Sequence, residues 1–394
     1  MKFTDYQYEN VFIKPEYKWN EKASKYLQTK KVIARLYNIK TKESEFKDVT
    51  DLSVPALYHP DKKGRFKSYL DNLALKEVKF KTLDEYNKYV KKIKEKTGEM
   101  VTIDYDGEEL TFEETIFKDD CYGYTNPAHT FIHRYFPDSI KSNHAIRTML
   151  IDIETRSETV SHGFPHSKTA YEPVFMIQMY DTFTDKYIIL GVKEFTGVFD
   201  QDNVRFVNCK TEAVLLETFI KIMEKQKPGI VTGFNSQAFD IPYLTNRIAR
   251  VLDGFTGETD ELNKKMSYIE MKNVNRLSPV GVVQGIPEVV SQDGMVGVSS
   301  LWLGINLLDM RELIIKYSYL GLPSYSLDAV SKHYGLEGKV DHSSYSKFDG
   351  FISSDHYIIQ DDVLTDLKQE NIRQMQIKRK IFKDELKRRG LKIE

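Results

Sequence analysis

The sequence predicts an α/β domain with a mixed sheet flanked by helices over residues 141–370, preceded by an α+β domain over residues 1–140. Two observations predict the α/β part. Long apolar strands begin at Met149, and apolar positions at helical spacing, from Leu215 to Met223, follow them and lead into another strand at Ile230. In the first part, strand pairs surround a single capped helix, which is typical of an α+β domain.

Local signals predict each element of the first domain. Val32 to Tyr37 and the residues around Phe46 to Val49 alternate as strands do. A capping box, Thr82-Leu-Asp-Glu85, predicts a helix that stops near Gly98. Asp106-Gly107 is the favoured two-residue hairpin turn, so strands are expected on either side of it. None of these patterns carries legible chemistry.

Composition excludes several classes of protein. The chain has 394 residues, 41% hydrophobic and 29% charged, which suits two or three globular domains. Its longest apolar runs are far shorter than the roughly 20 residues of a membrane helix, and the N-terminus lacks a signal peptide's apolar core. We therefore expect a cytoplasmic protein. Cys121 and Cys209 stand alone, so neither a zinc site nor a disulfide framework is expected.

The C-terminal segment is the most basic part of the chain. The formal net charge is −1, but residues 373–394 carry nine Lys/Arg against three Asp/Glu. We predict a basic helix over residues 371–394 that could pack back on the first domain. Its charges could face phosphates or simply be solvated, and the sequence leaves both readings open.

The strand from Met149 to Thr155 ends in two carboxylates. Because side chains alternate between the faces of a strand, Asp152 and Glu154 point the same way, and Ile151 and Ile153 point to the other face. Two like charges so placed repel unless a cation lies between them, and hard ions such as Mg²⁺ prefer carboxylate oxygens. The pattern indicates either a metal site or a strand end with two solvated acids.

Two later segments offer further carboxylates. The strand at Ile230 leads to Asp240, which Pro242 places at a helix N-terminus, where it could be a plain N-cap. Farther on, Tyr357 and Asp361 are neighbours on one face of a predicted helix. Four acids from three separate elements meet the requirement of a split metal site.

Three ordered motifs resemble the exonuclease motifs of family B DNA polymerases, within the DEDD exonuclease superfamily. They are Asp152-Ile-Glu154, the segment from Asn235 to Asp240, and Tyr357-x-x-x-Asp361. Three neighbouring segments resemble the T-even phage type of these enzymes: Gly163-Phe164-Pro165, Arg276 to Gly281 and Leu322 to Val330. Residues 30–98 of the first domain resemble the same type. The resemblance covers most of the chain.

The resemblance implies a ribonuclease H-like exonuclease domain and a metal-dependent 3′→5′ exonuclease that removes nucleotides from DNA 3′ ends. It implies two ions, Mg²⁺ or Mn²⁺, that activate water and stabilise the leaving 3′ oxygen. The residues that would hold them are Asp152, Glu154, Asp240 and Asp361. Tyr357 would position the attacking water or the scissile phosphate.

Three further residues are implied to bind nucleic acid. Asn235 would hold the terminal nucleotide, and Phe164 and Phe239 would stack on or wedge between terminal bases. Aromatic residues are more often part of a core, and this alternative is weaker for Phe164, which lies in a Gly-Phe-Pro loop. The implied partner is single-stranded DNA or the frayed 3′ end of a primer.

The third motif allows two interpretations. In this superfamily the residue beside the water is either Tyr four positions before the last Asp or His five positions before it, and His356, Tyr357 and Asp361 satisfy both patterns. The polymerase resemblance and the helical spacing favour Tyr357. Asp362 is an alternative to Asp361, but it breaks the spacing.

The polymerase motifs of the family, of the DxxSLYPS and YGDTDS kind, do not occur in this sequence. Tyr180-Asp181-Thr182 matches only part of the second of these motifs, and a structural role between two strands is expected for it. We therefore expect no polymerase activity from this chain alone. It would be a fragment, or one chain of a split polymerase whose partner carries the palm. If a phage encodes the chain, we expect it in the host cytoplasm.

Two other functions stay open. The chain could be a non-catalytic subunit that binds nucleic acid or a palm-containing partner, although the retention of four acids argues against a pure scaffold. It could also be a ribonuclease H-like nuclease with another polarity or an RNA substrate.

Overall fold

The computed structural model divides into two compact units, Met1–Ser142 and Asn143–Glu394. The residues it describes are 3–21, 25–69, 71–105, 108–117, 121–137, 144–155, 165–167, 169–192, 202–256, 268, 270–285, 289–290, 296–297, 300–318, 321–336 and 375–381.

The described part of the first unit contains three antiparallel sheets. Their strands, in sheet order, are β1 (Tyr6–Asn20), β2 (Lys25–Asn38) and β3 (Glu43–Asp48), then β4 (Leu57–Pro60), β6 (Ala74–Val78) and β5 (Phe66–Lys67), then β7 (Lys94–Tyr105) and β8 (Glu108–Phe117). The predicted strands at Val32 and Phe46 lie within β2 and β3. Tyr105 pairs with Glu108, as the predicted two-residue hairpin requires.

Helix α1 (Leu83–Ile93) begins at the predicted cap. The Thr82 hydroxyl accepts from the amide of Glu85 at 3.2 Å, and the Glu85 carboxylate accepts from the amide of Lys81 at 2.9 Å. The helix ends at Ile93, so our expectation of a stop near Gly98 is wrong. From Lys94 onward the backbone pairs with β8 instead, and this tertiary pairing overrides the helical pattern.

Helix α2 (Pro127–Tyr135) completes the core of the first unit. Asn126 caps it, and Pro127 occupies its first turn, where a missing amide costs nothing. Phe131 from this helix is buried with Leu36 and Tyr86. In the same unit, Arg35 of β2 donates to the carboxylate of Glu9 at 2.7 Å in a buried ion pair.

A six-stranded sheet forms the centre of the second unit. Its strands are, in sheet order, β12 (Val204–Asn208), β11 (Lys186–Gly191), β10 (Val174–Asp181), β9 (Thr148–Thr155), β13 (Ile230–Gly233) and β18 (Asn306–Asp309). Strand β10 is antiparallel to both neighbours, and all other adjacent pairs are parallel. The predicted mixed sheet is confirmed.

Helices flank this sheet, as predicted. They are α3 (Glu212–Gln226), α4 (Asp240–Leu252), α5 (Lys272–Asn275), α6 (Met310–Ser318), α7 (Leu327–His333) and α8 (residues 375–381). The predicted apolar stripe of α3, Leu215 to Met223, is buried. Helix α6 was not predicted, because it starts directly after β18 without a separate cap residue in a polar loop.

The two faces of the sheet bury different cores. Ile151 and Ile153 join the large core under α3 and α4. Leu150 points to the opposite face, where it packs with Tyr180 and with Met375 of α8. The acids of β9 belong to this second face, since they lie an even number of residues from Leu150.

Short strands complete the described part of the second unit. Strand β14 (Val283–Gly285) pairs with β17 (Ser300–Trp302), and β15 (Val289–Val290) pairs with β16 (Val296–Gly297). In the described part of the chain, no helix has the length and apolar character needed to cross a bilayer.

Candidate active site

Three parallel strands end at one edge of the central sheet. Strand β13 is parallel to both β9 and β18, so their carboxyl ends point the same way. Asp152 and Glu154 lie near the end of β9, Asp240 follows β13, and Asp309 ends β18. Side chains at the carboxyl ends of strands are where α/β sheets place their sites.

The alternation predicted for β9 is present. Ile151 and Ile153 are buried in the large core, whereas Asp152 and Glu154 are partly exposed on the other face. Gln178 of β10 is directly opposite Asp152, and its side chain therefore shares that face.

Asp240 is the first residue of α4 and is 4% exposed. Phe239 is the N-cap of the helix, whereas the Asp240 carboxylate accepts from the amide of Ile153 in β9 at 3.0 Å. The plain N-cap alternative is therefore wrong. Burial raises the pKa of Asp240 well above its usual range, and the nearby charge of Asp152 raises it further. Asp240 and Asp152 are thus electrostatic neighbours.

Lys378 of α8 completes the local charge balance. Its ammonium nitrogen lies 2.7 Å from Oδ1 of Asp152, and the residue is only 4% exposed. The same ammonium opposes the raised pKa of Asp240. The sequence predicts a basic helix over residues 371–394, solvated, phosphate-facing or packed on the first domain, but no local pattern distinguishes Lys378 from its basic neighbours.

Asp309 holds the loop that leads to Asp240. Its carboxylate accepts from the amides of Asn235 at 3.0 Å and Gln237 at 2.9 Å, and from the amide of Arg311 at 2.9 Å. Burial raises the pKa of this carboxyl. Asp309 was missed in the sequence because its role depends on contacts with a distant loop; its place at the end of a strand was the available signal.

Backbone geometry tightens the same loop. Asn235 has a φ of 62°, in the left-handed region that Asn tolerates better than most residues. A Cβ at Gly233 would lie 2.7 Å from the carbonyl oxygen of Ile151 and 2.8 Å from Cβ of Ser236. Only glycine therefore fits where β13 passes β9 and turns into the loop.

The predicted nucleic-acid residues have different surroundings. Asn235 is partly exposed in the loop held by Asp309. Phe239 packs against the large core, with its ring centroid 5.2 Å from that of Tyr243. Phe164 lies outside the described residues, as do Tyr357 and Asp361, so their predicted roles stay predictions.

The segment after Phe164 is anchored beside Asp240. The Ser167 hydroxyl donates to the carbonyl of Ala238 at 3.2 Å, and the Asn246 side chain donates to the carbonyl of Ser167 at 2.9 Å. Tyr268 in turn donates to the Asn246 side chain at 2.6 Å. Residues 165–167 are thereby tied to the loop before α4 and to α4 itself.

Asp181, in the segment that partly matches a polymerase motif, has a structural role. Arg147 donates to its carboxylate at 3.0 Å, and Thr184 donates to it at 2.8 Å. Asp181 has no exposed surface and ends β10 at the edge opposite to that of Asp152 and Asp240.

The residues present fit a hard cation in their chemistry. Asp152, Glu154 and Asp240 offer carboxylate oxygens, the ligands that Mg²⁺ and Mn²⁺ prefer. In the described part of the chain, no group of three or more His, Cys, Asp or Glu side chains is close enough to hold a metal. Among the residues that the structure describes, both polar atoms of the buried Gln178 side chain also lack a hydrogen-bond partner, although Gln178 lies beside Asp152. An orphaned amide at this position fits a site that takes up a further polar group.

Comparison with known proteins identifies the family. The model of "DNA polymerase family B, exonuclease domain" matches residues 120–330, more than half of the chain. The DNA-directed DNA polymerase of Enterobacteria phage T4 is 29% identical over 147 residues, which is 35% of this chain and 13% of that protein. The corresponding enzyme of Escherichia phage RB69 is 27% identical over 238 residues, 54% of this chain and 23% of that protein.

A DNA polymerase of Paramecium bursaria Chlorella virus NY2A is 26% identical over 215 residues, 51% of this chain and 21% of that protein. The matched stretches thus cover less than a quarter of the length of these relatives. Taken with the acids gathered at the carboxyl edge of the mixed sheet, the match establishes that the chain belongs to DNA polymerase family B, through its exonuclease domain.

Proposed function

We propose that this chain is a metal-dependent 3′→5′ exonuclease that removes nucleotides from DNA 3′ ends, as the proofreading module of a family B DNA polymerase. The observation that carries the proposal is the meeting of Asp152 and Asp240, from two separate elements, within the matched exonuclease domain. Such a pair of hard ligands suits phosphodiester hydrolysis.

The strand order supports a ribonuclease H-like assignment. The order β11-β10-β9-β13-β18, with β10 alone antiparallel to its neighbours, places the first strand of the domain at the centre. This central strand carries Asp152 and Glu154.

Asp152, Glu154, Asp240 and Asp361 would hold two Mg²⁺ or Mn²⁺ ions. Bound ions of this kind activate water and stabilise the leaving oxygen. The chain's own groups position the reactants: Asp240 holds β9 through the Ile153 amide, and Asp309 holds the loop that carries Asn235. Tyr357 would orient the attacking water, and Phe164 and Phe239 would contact the terminal bases.

We further propose single-stranded DNA, or a frayed primer 3′ end, as the substrate in the cytoplasm. The nucleotidyl-transfer motifs do not occur in the sequence given. The palm would therefore belong either to a longer protein of which this sequence is a fragment or to a separate chain that is the proposed partner. Addition of nucleotides by this chain alone is not expected.

The direct test is digestion of a 5′-labelled single DNA strand with Mg²⁺ or Mn²⁺. We expect a ladder of products shortened from the 3′ end, and none with a chelator. Asp152→Ala combined with Glu154→Ala should slow the reaction by roughly a hundredfold or more, since the lost ligands supply several kcal/mol. Asp202→Ala, at an exposed acid of the same unit, is the matched control and should keep the wild-type rate. Undiminished shortening by the double variant, or none by the wild type, would refute the proposal.

A second function is a non-catalytic subunit that binds nucleic acid or a palm-containing chain. The pairing of Asp152 with Lys378 favours it, because that pair uses one acid for a structural contact. Binding of labelled DNA without any shortening, by a correctly folded chain, would support this alternative.

Two substrates distinguish the proposed exonuclease from a nuclease with other polarity or an RNA substrate: a 3′-blocked DNA strand and an RNA strand. A 3′-blocked DNA strand should resist the proposed exonuclease, which needs a free 3′ end. Cleavage of the blocked strand, or preference for an RNA strand of the same sequence, would assign the chain to the other class.

A further inference from the structure

Lys378 is a buried cation placed on a carboxylate that the proposed exonuclease needs for another purpose. Its ammonium lies 2.7 Å from Asp152, and both partners are largely shielded from water. A charge-assisted hydrogen bond in such surroundings is stronger than an exposed ion pair. The ammonium occupies Oδ1 of Asp152 and repels a second cation, so the pair opposes the binding of a metal to this carboxylate.

The neighbouring charges explain why a cation is needed at this position. Asp152 and Asp240 raise each other's energy when both are ionised, and burial adds to this cost for Asp240. The Lys378 ammonium, in contact with Asp152 and lowering the pKa of Asp240, offsets that repulsion, as a divalent ion would. Lys378 thus acts as an internal counter-ion at the place where an external one is expected.

Helix α8 does not depend on Lys378 for its place. Arg379 pairs with Asp185, donates to the Tyr187 hydroxyl at 3.3 Å and stacks over the ring of Tyr180, with 4.5 Å between the guanidinium carbon and the ring centroid. On its other side, the helix buries Ile377 and Ile381 against Ile314 and Val330. Loss of the ammonium should therefore leave the helix docked.

The structure also offers the ammonium an alternative partner. The Gln178 side chain shares a face with Asp152 on the adjacent strand, and its amide oxygen accepts no hydrogen bond from the described part of the chain. A lysine has a flexible four-carbon stem, so a short movement of the ammonium can exchange one acceptor for another.

We propose that Lys378 is a resident cation of this site, which binds Asp152 in the metal-free protein and competes with a divalent ion for it. The inference rests on the proposed metal-dependent function and deepens it. Without metal, Lys378 would hold the two acids together. It would also lower the apparent affinity for metal, so that a higher metal concentration is needed to fill the site.

The test is a titration of the full chain with Mn²⁺ in the absence of DNA. The electron paramagnetic resonance signal of free Mn²⁺ measures how much of the ion is bound. We expect Lys378→Met and Lys378→Gln each to bind Mn²⁺ about tenfold more tightly than the wild type, since a charge-assisted hydrogen bond no longer opposes binding. Lys380→Met, at an exposed lysine of the same helix, should leave the affinity unchanged. Asp152→Asn should lose the tight site.

Thermal unfolding provides a second readout. Without metal, Lys378→Met should unfold at a lower temperature than the wild type, because two acids lose their counter-ion, and Mn²⁺ should raise its unfolding temperature more than it raises that of the wild type. Lys378→Gln, which keeps a polar group, gives the same comparison if the Met variant does not fold.

The outcomes separate the two proposals. If the Lys378 variants bind Mn²⁺ no more tightly than the wild type, while Asp152→Asn abolishes binding, the competition is refuted and the metal-dependent function stands. If neither the wild type nor any variant binds Mn²⁺, both are refuted.

Discussion

Asp240 shows how one buried acid can organise a site. It belongs to a helix, yet its carboxylate bonds the backbone of β9, next to the residue that carries the second acid. The hydrogen bond from Ile153 stabilises the charged form, while burial and Asp152 oppose it. This contact between α4 and β9 therefore helps to hold Asp152 in place relative to Asp240.

Asp309 should matter for stability more than an ordinary strand-end residue. Asp309→Ala leaves three amides without this acceptor, one buried and two partly buried. An unsatisfied buried group costs about 1–3 kcal/mol, and a group that water can reach costs less. We expect urea denaturation to show a loss of about 2–4 kcal/mol in the free energy of unfolding.

Two variants control for this effect. Asp309→Asn retains one oxygen, and therefore should lose less than Asp309→Ala. Asp202→Ala, at an exposed acid, should change the free energy of unfolding by no more than about 0.5 kcal/mol. If Asp309→Ala has the same free energy of unfolding as Asp202→Ala, the loop from Asn235 to Gln237 does not depend on the Asp309 carboxylate.

His356 and Tyr357 give a prediction that separates two classes of nuclease. Tyr357→Phe should slow digestion of single-stranded DNA, because a positioning hydroxyl is lost, while His356→Ala should keep most of the rate. An imidazole titrates near pH 6.5 and a phenol near pH 10, so a rate without an inflection near pH 6.5 is expected. The reverse pattern, with such an inflection, would assign the chain to the histidine class.

At the scale of elements, the strand and helix ends position the chemistry. Strands β9, β13 and β18 are parallel and end at one edge, and each contributes an acid there or leads to one. Gly233 permits the close approach of β13 to β9, and helix α8 covers the same face with Met375 and Lys378. The site thus depends on the relative register of three strands.

The hairpin of β15 and β16 lies within the matched exonuclease domain, and we predict that it helps to separate a primer from its template. Val290 pairs with Val296, so residues 291–295 can be replaced by Asn-Gly, which suits a two-residue turn. We expect this change to slow digestion of a duplex end far more than digestion of a single strand. The two rates are measured on the same labelled strand with and without its complement; an equal loss on both would contradict this role.

For the whole molecule, charge limits how nucleic acid can be attracted. With a formal net charge of −1, the chain has no overall attraction for DNA, so binding must depend on local clusters such as residues 373–394. The cluster is divided in its roles: Lys378 and Arg379 pair with acids of the second unit, while the basic residues from 383 onward lie outside the described part.

The tail gives a prediction at this scale. If Lys387, Arg388 and Arg389 contact phosphates, changing all three to Ala should weaken binding of a labelled single strand and reduce the slope of log affinity against log salt by about 2, as expected for three lost contacts. Fluorescence anisotropy in a chelator measures binding without digestion. Changing Lys221 and Lys225 on the exposed side of α3 is the control. A slope equal to that of the wild type would show that these residues are only solvated.

Local patterns in the sequence determined much of the second unit. The alternation around Asp152, the apolar stripe of α3 and the start of α4 at Asp240 all depend on residues that are close in the chain, and such patterns survive in the folded protein. Asp152, Glu154 and Asp240 could be placed at element ends for the same reason, since a strand end and a helix start both have local signatures.

Only the tertiary structure decided which groups meet. The early end of α1 results from pairing with β8, and the roles of Asp309 and Lys378 result from contacts with residues far away in the chain. Such contacts form when the backbone closes large loops and buries polar groups that must then find partners, and no local periodicity encodes them. The sequence by itself thus determined the acids and their strands, whereas the packing of the helices decided that a lysine would lie among them.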